Sequence, residues 1–358
     1  MPSLKEIKGR INSISSTLAI TSAMKMVASA KLQKAQMAIQ NMLPYERRLY
    51  SMLLDLMGAM NISAAASEDG SVRGSGSAER GFDQSGDRLS LSNRHDLAGM
   101  DGAYSLMAQR EVRKVAIVAF ASNSSLCGAF NSNVIREATA VINEYRASGL
   151  RDSDIVVYSV GRKMAEAMRK LGFPSPADFT KMSDSPSYEA ASALAQELLD
   201  GFVSGRFDKV ELVYNHYKST SSQPTIRQTY LPLSLADATA DLQAGKIADS
   251  ASESDTNRGA EPVGAPVVRQ GSPTTEDLIV EPSKEELIAT LLPKVVRLRV
   301  FTTLLDSTAA EQAARTVAMQ LATDNGNDLL QELTLEYNKG RQQKITSEIL
   351  DLVGGSMQ

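Results

Sequence analysis

Few side chains in this sequence could carry out nucleophilic, acid–base or metal chemistry. The chain has one cysteine, Cys127, and two histidines, His95 and His216. One cysteine excludes an internal disulfide framework and a multi-cysteine zinc site, and two histidines are too few for a histidine-rich metal centre. Cys127 stands between a predicted strand and a predicted helix, where a helix N-terminus could activate a thiolate. A small buried residue in a tight turn is the favoured interpretation.

The familiar phosphate- and metal-binding motifs are missing from the sequence. It contains no Gly-x4-Gly-Lys-Ser/Thr loop, no Gly-x-Gly-x-x-Gly after the first predicted strand, no His-Glu-x-x-His and no Cys-x-x-Cys. The adjacent carboxylates Glu285 and Glu286 stand at a predicted helix start, where acidic groups interact favourably with the helix dipole. We therefore predict no catalytic, cofactor-binding or metal-binding residues.

Length and charge favour an ordinary chain of about two domains. The 358 residues include 38 basic and 42 acidic side chains, a net charge of −4, which excludes a globally basic nucleic-acid-binding protein. No run of about 18 apolar residues occurs, and the charged N-terminus lacks the apolar core of a signal peptide. The sequence therefore predicts no membrane-spanning helix and a chain that stays where it is made.

Both ends of the chain are predicted to form long helices. Apolar or small residues recur in steps of three and four from Ile7 to Met42, and the last segment repeats the pattern. That spacing is typical of a coiled-coil seam. Each helix would be roughly 80 Å long, too long for one globular domain. We predict that residues 1–60 and 283–358 pair as an antiparallel coiled coil; shorter helices packed on the middle of the chain are the alternative.

Three signals predict local distortions of the two helices. Pro44 and Pro293 each remove a backbone donor from a helix interior, which favours a kink. The Asp-Asn-Gly-Asn run at residues 324–327 is typical of a break.

The middle of the chain, residues 109–236, is predicted to be an α/β domain. Short apolar runs alternate with helical segments, which indicates βαβ units and a largely parallel, Rossmann-like sheet. The predicted strands are Val112–Phe120, Asp154–Val160, Lys209–His216 and Thr225–Leu233, and the predicted helices are Phe130–Ala147, Arg162–Leu171 and Tyr188–Val203.

Two segments flank this domain with a different composition. Residues 61–108 are rich in Ser and Gly, and residues 237–282 are rich in Ser, Gly, Pro and acidic side chains. Both are predicted to be flexible inserts. The favoured interpretation is a surface insertion without a specific role. The alternative is that an insert regulates the protein by contacting a neighbouring subunit. Neither insert has a cysteine pair, so a dithiol switch is excluded.

The terminal helices also predict a protein partner. The first 42 residues carry six basic side chains and one acidic side chain, Glu6. Such a basic helix suits an acidic protein surface better than nucleic acid, because no aromatic residues are interleaved; a solvated coiled-coil face is the alternative. The last segment is rich in amide and hydroxyl side chains, which suit directed contacts with surrounding protein.

Four stretches of the sequence resemble the ATP synthase gamma chain family. They are ITSAMKMVASAK at residues 20–31, SLCGAFN at residues 125–131, EQAARTVAMQLATDNG at residues 311–326 and LEYNKGRQQKITSEI at residues 335–349. They occur in order and cover both helices and the middle domain. The resemblance implies a non-catalytic rotor subunit of the central stalk, which transmits torque from ion flow through the membrane sector to catalytic sites.

The resemblance also implies partners and contact residues. The partners would be the alpha3-beta3 hexamer, the epsilon subunit and the c-subunit ring, with no nucleic acid, and with the membrane reached only through the complex at the cytoplasmic face of the bacterial inner membrane. By position in the shared motifs, the expected contacts with beta subunits are Met24, Lys25, Arg315, Asp324, Asn325, Arg341, Gln342 and Thr346. Asn123-Ser124-Ser125 departs from the charged residues usual in the family's first loop.

Two other classes of protein remain as hypotheses. One is a small-molecule-binding α/β domain that dimerises through its terminal helices. The other is a hydrolase that uses Cys127 as its nucleophile.

Overall fold

The computed structural model describes residues 3–68, 106–107, 110–233, 281 and 283–355. Two long helices, α1 and α6, enclose an α/β domain in the chain order. The elements are α1 (Leu4–Glu68), β1 (Val115–Phe120), α2 (Phe130–Ala147), β2 (Ile155–Val160), α3 (Arg162–Lys170), α4 (Thr180–Asp184), α5 (Tyr188–Val203), β3 (Lys209–Asn215), β4 (Thr225–Leu231) and α6 (Lys284–Gly355). The predicted fold class, an α/β domain with terminal coiled-coil helices, is confirmed.

The described strands form one mixed sheet in the order β2-β1-β3-β4. β1 pairs in parallel with β2 and with β3, whereas β4 pairs antiparallel with β3 at the edge. The sheet is therefore largely parallel, as predicted, because β1, β2 and β3 are joined by helical crossovers and β4 follows β3 through a short loop.

Alternating side chains of the strands build two cores, one on each face of the sheet. Along β1, Val115, Ile117 and Ala119 face α2 and α3. Ala116, Val118 and Phe120 face α5 and the adjoining parts of α1 and α6. Successive side chains of a strand point to opposite faces of the sheet. One face therefore packs against the coiled coil and α5, and the other packs against α2 and α3.

The two long helices run antiparallel in one continuous register. Leu4 lies against Gly340, Leu18 against Gly326 and Thr21 against Thr323, so each step along α1 is matched by an equal step back along α6. Every seam residue predicted for α1 is buried or half-buried. These are Ile7, Ile11, Ile14, Leu18, Thr21, Met24, Ala28, Leu32, Ala35, Ile39 and Met42. At 1.5 Å per residue each helix is roughly 100 Å long, so the predicted coiled coil is confirmed.

The helices differ from the prediction in their continuity and their ends. α1 passes through Pro44, and α6 passes through Pro293 and residues 324–327, as uninterrupted helix. The break predicted at 324–327 is wrong because Gly326 lies in the seam, where a Cβ atom would stand 2.7 Å from Leu18 Cδ2. Its small size serves close approach of the helices and not a turn.

The first predicted insert begins later in the structure than in the prediction. α1 ends at Glu68, so it includes the first residues of the insert predicted at 61–108. Most of that insert, and most of 237–282, lie outside the described residues. The described helices contain no segment long and apolar enough to cross a membrane.

Candidate partner-contact surface

In the lower half of the coiled coil, buried polar contacts join the two helices to each other, and the Tyr230 hydroxyl of β4 donates to the Val296 carbonyl of α6 at 3.0 Å. Here "lower half" means the part of the pair from Ala28 to Leu56 of α1 and from Ile288 to Met319 of α6. Glu46 of α1 is buried and accepts a hydrogen bond from Thr302 at 3.1 Å, and Arg299 lies 3.4 Å from the same oxygen. A charge removed from water in this way needs such partners, and they fix the two helices relative to one another.

Arg315 belongs to this fastened region. Its side chain is only 9% exposed, and it donates to the backbone carbonyl of Ser125 at 2.7 Å and to Glu311 one turn earlier. Burial raises the pKa of Glu311, whereas the guanidinium of Arg315 acts to lower it. Arg315 thus ties α6 to the loop between β1 and α2, and its role as a beta-subunit contact stays a prediction.

The upper half of the pair, residues 4–27 of α1 with residues 320–355 of α6, is built differently. Among the side chains the structure describes there, only Ile7 is buried. A seam of half-buried α6 residues recurs in steps of three or four. Its members are Thr323, Gly326, Leu330, Leu333, Tyr337 and Gly340. The upper half is therefore held by one narrow stripe, and the rest of its surface is open to solvent.

Four of the predicted contact residues lie at one level of this upper half, beside the Thr21–Thr323 hydrogen bond. Met24 and Lys25 are half-buried on α1, whereas Asp324 and Asn325 are exposed on α6. The Gln320 amide donates to both carboxylate oxygens of Asp324, at 2.7 and 2.8 Å. The level offers cationic, amide and acidic groups side by side, and each is accessible to another protein.

The other predicted contacts lie near the C-terminal end of α6. Arg341, Gln342 and Thr346 are exposed and come after Gly340, which faces Leu4 near the start of α1. The hydroxyl of Thr346 donates to the carbonyl of Gln342 at 2.9 Å. Residues 341–355 continue for roughly 22 Å past that point.

Sequence reasoning missed an apolar surface at this same end. The apolar pattern predicted for the last segment includes Ile349 and Leu352, but these side chains are 54% and 74% exposed. Other exposed apolar side chains surround them. They are Ile345, Leu350 and Val353. Leu321 and Leu329, also part of that pattern, are exposed as well. Five neighbouring exposed apolar residues indicate an interaction surface, and only the register of the two helices reveals that they extend beyond α1.

Within the described part of the chain, the polar neighbours of the Cys127 thiol are hydroxyl, carbonyl and amide groups. The Cys127 side chain is 1% exposed and lies near Asn131 Nδ2 at 3.2 Å and Ser122 Oγ at 3.7 Å. Among the described residues, no group of three or more His, Cys, Asp or Glu side chains is arranged to hold a metal ion. These contacts favour the structural interpretation of Cys127 over the nucleophile.

The place where such a sheet would bind a small molecule is filled by α6. In open α/β sheets, ligands bind beyond the carboxyl ends of the strands where the strand order reverses, here between β1 and β3. Cys127 and Phe130 follow β1 and pack with Ala310 of α6, and Tyr217 after β3 packs against the same group. The coiled coil therefore occupies the crevice that a ligand would need.

Comparisons with known proteins agree with this architecture. A family model described as ATP synthase matches residues 3–357. The ATP synthase gamma chain of Phocaeicola vulgatus is 46% identical over 100% of both chains, and that of Bacteroides thetaiotaomicron is 45% identical over 100% of both chains. A solved structure of the Euglena gracilis mitochondrial ATP synthase rotor matches with a TM-score of 0.50 at 18% identity, covering 96% of this chain and 98% of that chain.

The fold and the surface define an elongated stalk protein, in which an α/β domain carries a projecting antiparallel coiled coil. The identity to relatives over the full length makes the assignment specific. The chain belongs to the ATP synthase gamma chain family, and its role is that of the central-stalk subunit of an ATP synthase.

Proposed function

We propose that the chain is the non-catalytic rotor of this central stalk and transmits torque to the catalytic sites of an alpha3-beta3 hexamer. The observation that carries the proposal is the contrast within the coiled coil. Its lower half is fastened to the α/β domain, and its upper half projects with an exposed, chemically mixed surface. A paired helix resists twisting, which a single helix would not do to the same degree.

A rotating shaft changes a catalytic site only if it contacts the alternative conformations of that site with different free energies. The shaft must present different groups in different directions, and each contact must be weak enough to release. The level of Lys25 and Asp324 meets both conditions, because its groups are solvated and differ around the circumference. Exposed ion pairs contribute only about 0–1 kcal/mol each, so such contacts can form and break during a turn.

The partners follow from the two ends of the rod. The upper surface, with Met24, Lys25 and Asn325 at one level and Arg341 and Thr346 above it, would face the beta subunits. Arg315 would act on them by holding the loop at Ser125, to which it is bonded. The base and the α/β domain would meet the epsilon subunit and the c-subunit ring, at the cytoplasmic face of the bacterial inner membrane.

Reconstitution tests this function. Alpha, beta and epsilon subunits are assembled with the wild-type chain on membranes that contain the membrane sector, and ATP-driven proton uptake is measured. The complete set should pump, and the purified chain alone should not hydrolyse ATP. Equal pumping without the chain would overturn the proposal.

A matched pair of variants locates the contact. Arg341→Ala removes an exposed cation from the upper surface, and Arg169→Ala removes one from α3 in the α/β domain. Arg341→Ala should lower ATP-driven pumping several-fold, whereas Arg169→Ala should leave it unchanged. Equal effects of the two variants would contradict the assignment of the upper surface.

A further inference from the structure

The loop between β3 and β4, residues 216–224, reaches from the sheet to both long helices. Asp306 of α6 accepts a hydrogen bond from the Tyr217 backbone N–H at 2.8 Å, and its other oxygen lies 2.6 Å from His216 Nδ1. On the other side, Gln36 of α1 donates to the Tyr217 hydroxyl at 2.6 Å. Two consecutive residues thus join the α/β domain to both helices of the coiled coil.

The loop holds its own shape. The His216 N–H donates to the Pro224 carbonyl at 2.8 Å, and Ser219 and Ser222 exchange backbone hydrogen bonds at 3.1 and 3.2 Å. Because these bonds close the loop internally, the bonds to Gln36 and Asp306 are attachments and not what gives the loop its conformation.

Small residues let the loop approach the helices closely. The Tyr217 ring packs against two clusters that contain Ala309, Ala310 and Ala313, all fully buried. The packing of the aromatic ring does not depend on protonation, so it should hold the loop in place when a polar contact weakens. Only the polar contacts should change with pH.

We propose that loop 216–224 is a protonation-dependent clasp between the α/β domain and the coiled coil. With the His216 imidazole protonated, Asp306 holds it through a charge-assisted hydrogen bond, which is roughly twice as strong as a neutral one. With the imidazole neutral, the attachment depends on neutral bonds and on the packing of Tyr217. The clasp is a property of the chain itself, and only its effect on torque rests on the proposed function.

The charges around His216 set the pH range of the clasp. Among the described residues, Asp306 of α6 and Lys218 of the loop are the charged groups that act on it. The contact from α1 goes to the neighbouring residue, where the neutral Gln36 amide donates to the Tyr217 hydroxyl. The hydrogen bond to Asp306 raises the pKa of His216, against the burial of the ring and the charge of Lys218. A raised pKa in the folded state means that this stabilisation is fully present below the unfolded value, about 6.5, and is lost as the pH rises through the folded value. The clasp therefore weakens on the alkaline side.

Proton titration of the imidazoles by NMR tests the pairing. The chain has only two histidines, so the variant His95→Gln assigns both sets of signals in the full-length protein. The titration midpoint of His216 should be higher in the wild type than in Asp306→Asn, which keeps an acceptor for the Tyr217 N–H. A midpoint in the wild type no higher than in that variant would overturn the proposal.

Amide hydrogen exchange tests the mechanical consequence. After correction for the intrinsic pH dependence, exchange at the Tyr217 amide should increase about tenfold in the wild type as His216 loses its proton, equivalent to about 1.4 kcal/mol. His216→Gln keeps a neutral donor for Asp306 and should show no such step. The same pH profile in both proteins would end the proposal.

These measurements need no assembled complex, so they separate the two ideas. A clasp that titrates as expected in a chain that fails to restore pumping would leave the clasp standing and refute the rotor. A chain that restores pumping but shows no raised titration midpoint for His216 would refute the clasp and leave the rotor standing.

Discussion

The two halves of the coiled coil share one register but differ in what surrounds them. In the lower half, side chains such as Leu304 and Ala310 are withdrawn from water between α1, α6 and the sheet, and Glu46 is buried with its partners. In the upper half the seam is half-buried and most other groups are exposed. Pairing two helices leaves most of their outer surface in water, whereas attaching the pair to a domain buries a third layer of side chains.

Replacing one leucine of α6 by alanine should have the largest effect, and the effect should differ between the two halves. Leu304 is 2% exposed and contributes to the core beneath the sheet, whereas Leu333 is half-buried in the upper seam. Leu304→Ala should lower the free energy of unfolding by about 2–5 kcal/mol, and Leu333→Ala by distinctly less, because less surface is exposed and less of a cavity forms. Urea unfolding followed by circular dichroism measures both, and equal losses would contradict the difference between the halves.

Replacing the seam glycine Gly326 by a large residue should have an intermediate effect on stability. A Cβ at Gly326 would stand 2.7 Å from Leu18 Cδ2, so Gly326→Leu should push α1 away from α6 and cost about 1–3 kcal/mol. The effect should be confined to the upper half, where hydrogen exchange would increase while the α/β domain keeps its protection.

A compensating change sharpens the interpretation of this variant. Leu18→Ala combined with Gly326→Leu restores volume at the contact and should recover most of the protection. Failure of the double variant to recover would mean that the helices are not held by close approach at this position.

Removal of an exposed ion pair should have the smallest effect. Lys344 and Glu348 lie 3.8 Å apart one turn from each other, with both side chains about two-thirds exposed. Glu348→Gln should change the free energy of unfolding by less than about 0.5 kcal/mol. A loss comparable to that of Leu304→Ala would show that the upper surface carries stability, which the comparison denies.

Much of the fold could be predicted because it depends on local periodicity. The seam from Ile7 to Met42 follows from steps of three and four, and the predicted helices Phe130–Ala147 and Tyr188–Val203 match the observed bounds. The short helix α4 was missed because five residues give no periodic signal.

The contact surface was harder to predict because it depends on distant parts of the chain. The half-burial of Met24 and the exposure of Asp324 follow from their places on the helices. The burial of Arg315, by contrast, depends on Ser125, far away in the sequence. Likewise, the spacing of Ile349 and Leu352 is that of a seam, and only the position of Leu4 opposite Gly340 shows that they extend beyond α1. A repeating pattern does not by itself specify its alignment with a second helix.

The glycines opposite Leu4 and Leu18 have a consequence for a rod under load. If one helix slipped by a turn along the other, Leu18 would leave the notch at Gly326 and meet Ala322 or Leu330 instead. Leu18 and Leu4 lie close to Gly326 and Gly340, so a slip by one turn would have to break both contacts at once. A twist applied at the base should therefore reach the far end as rotation, without being dissipated as sliding between the helices.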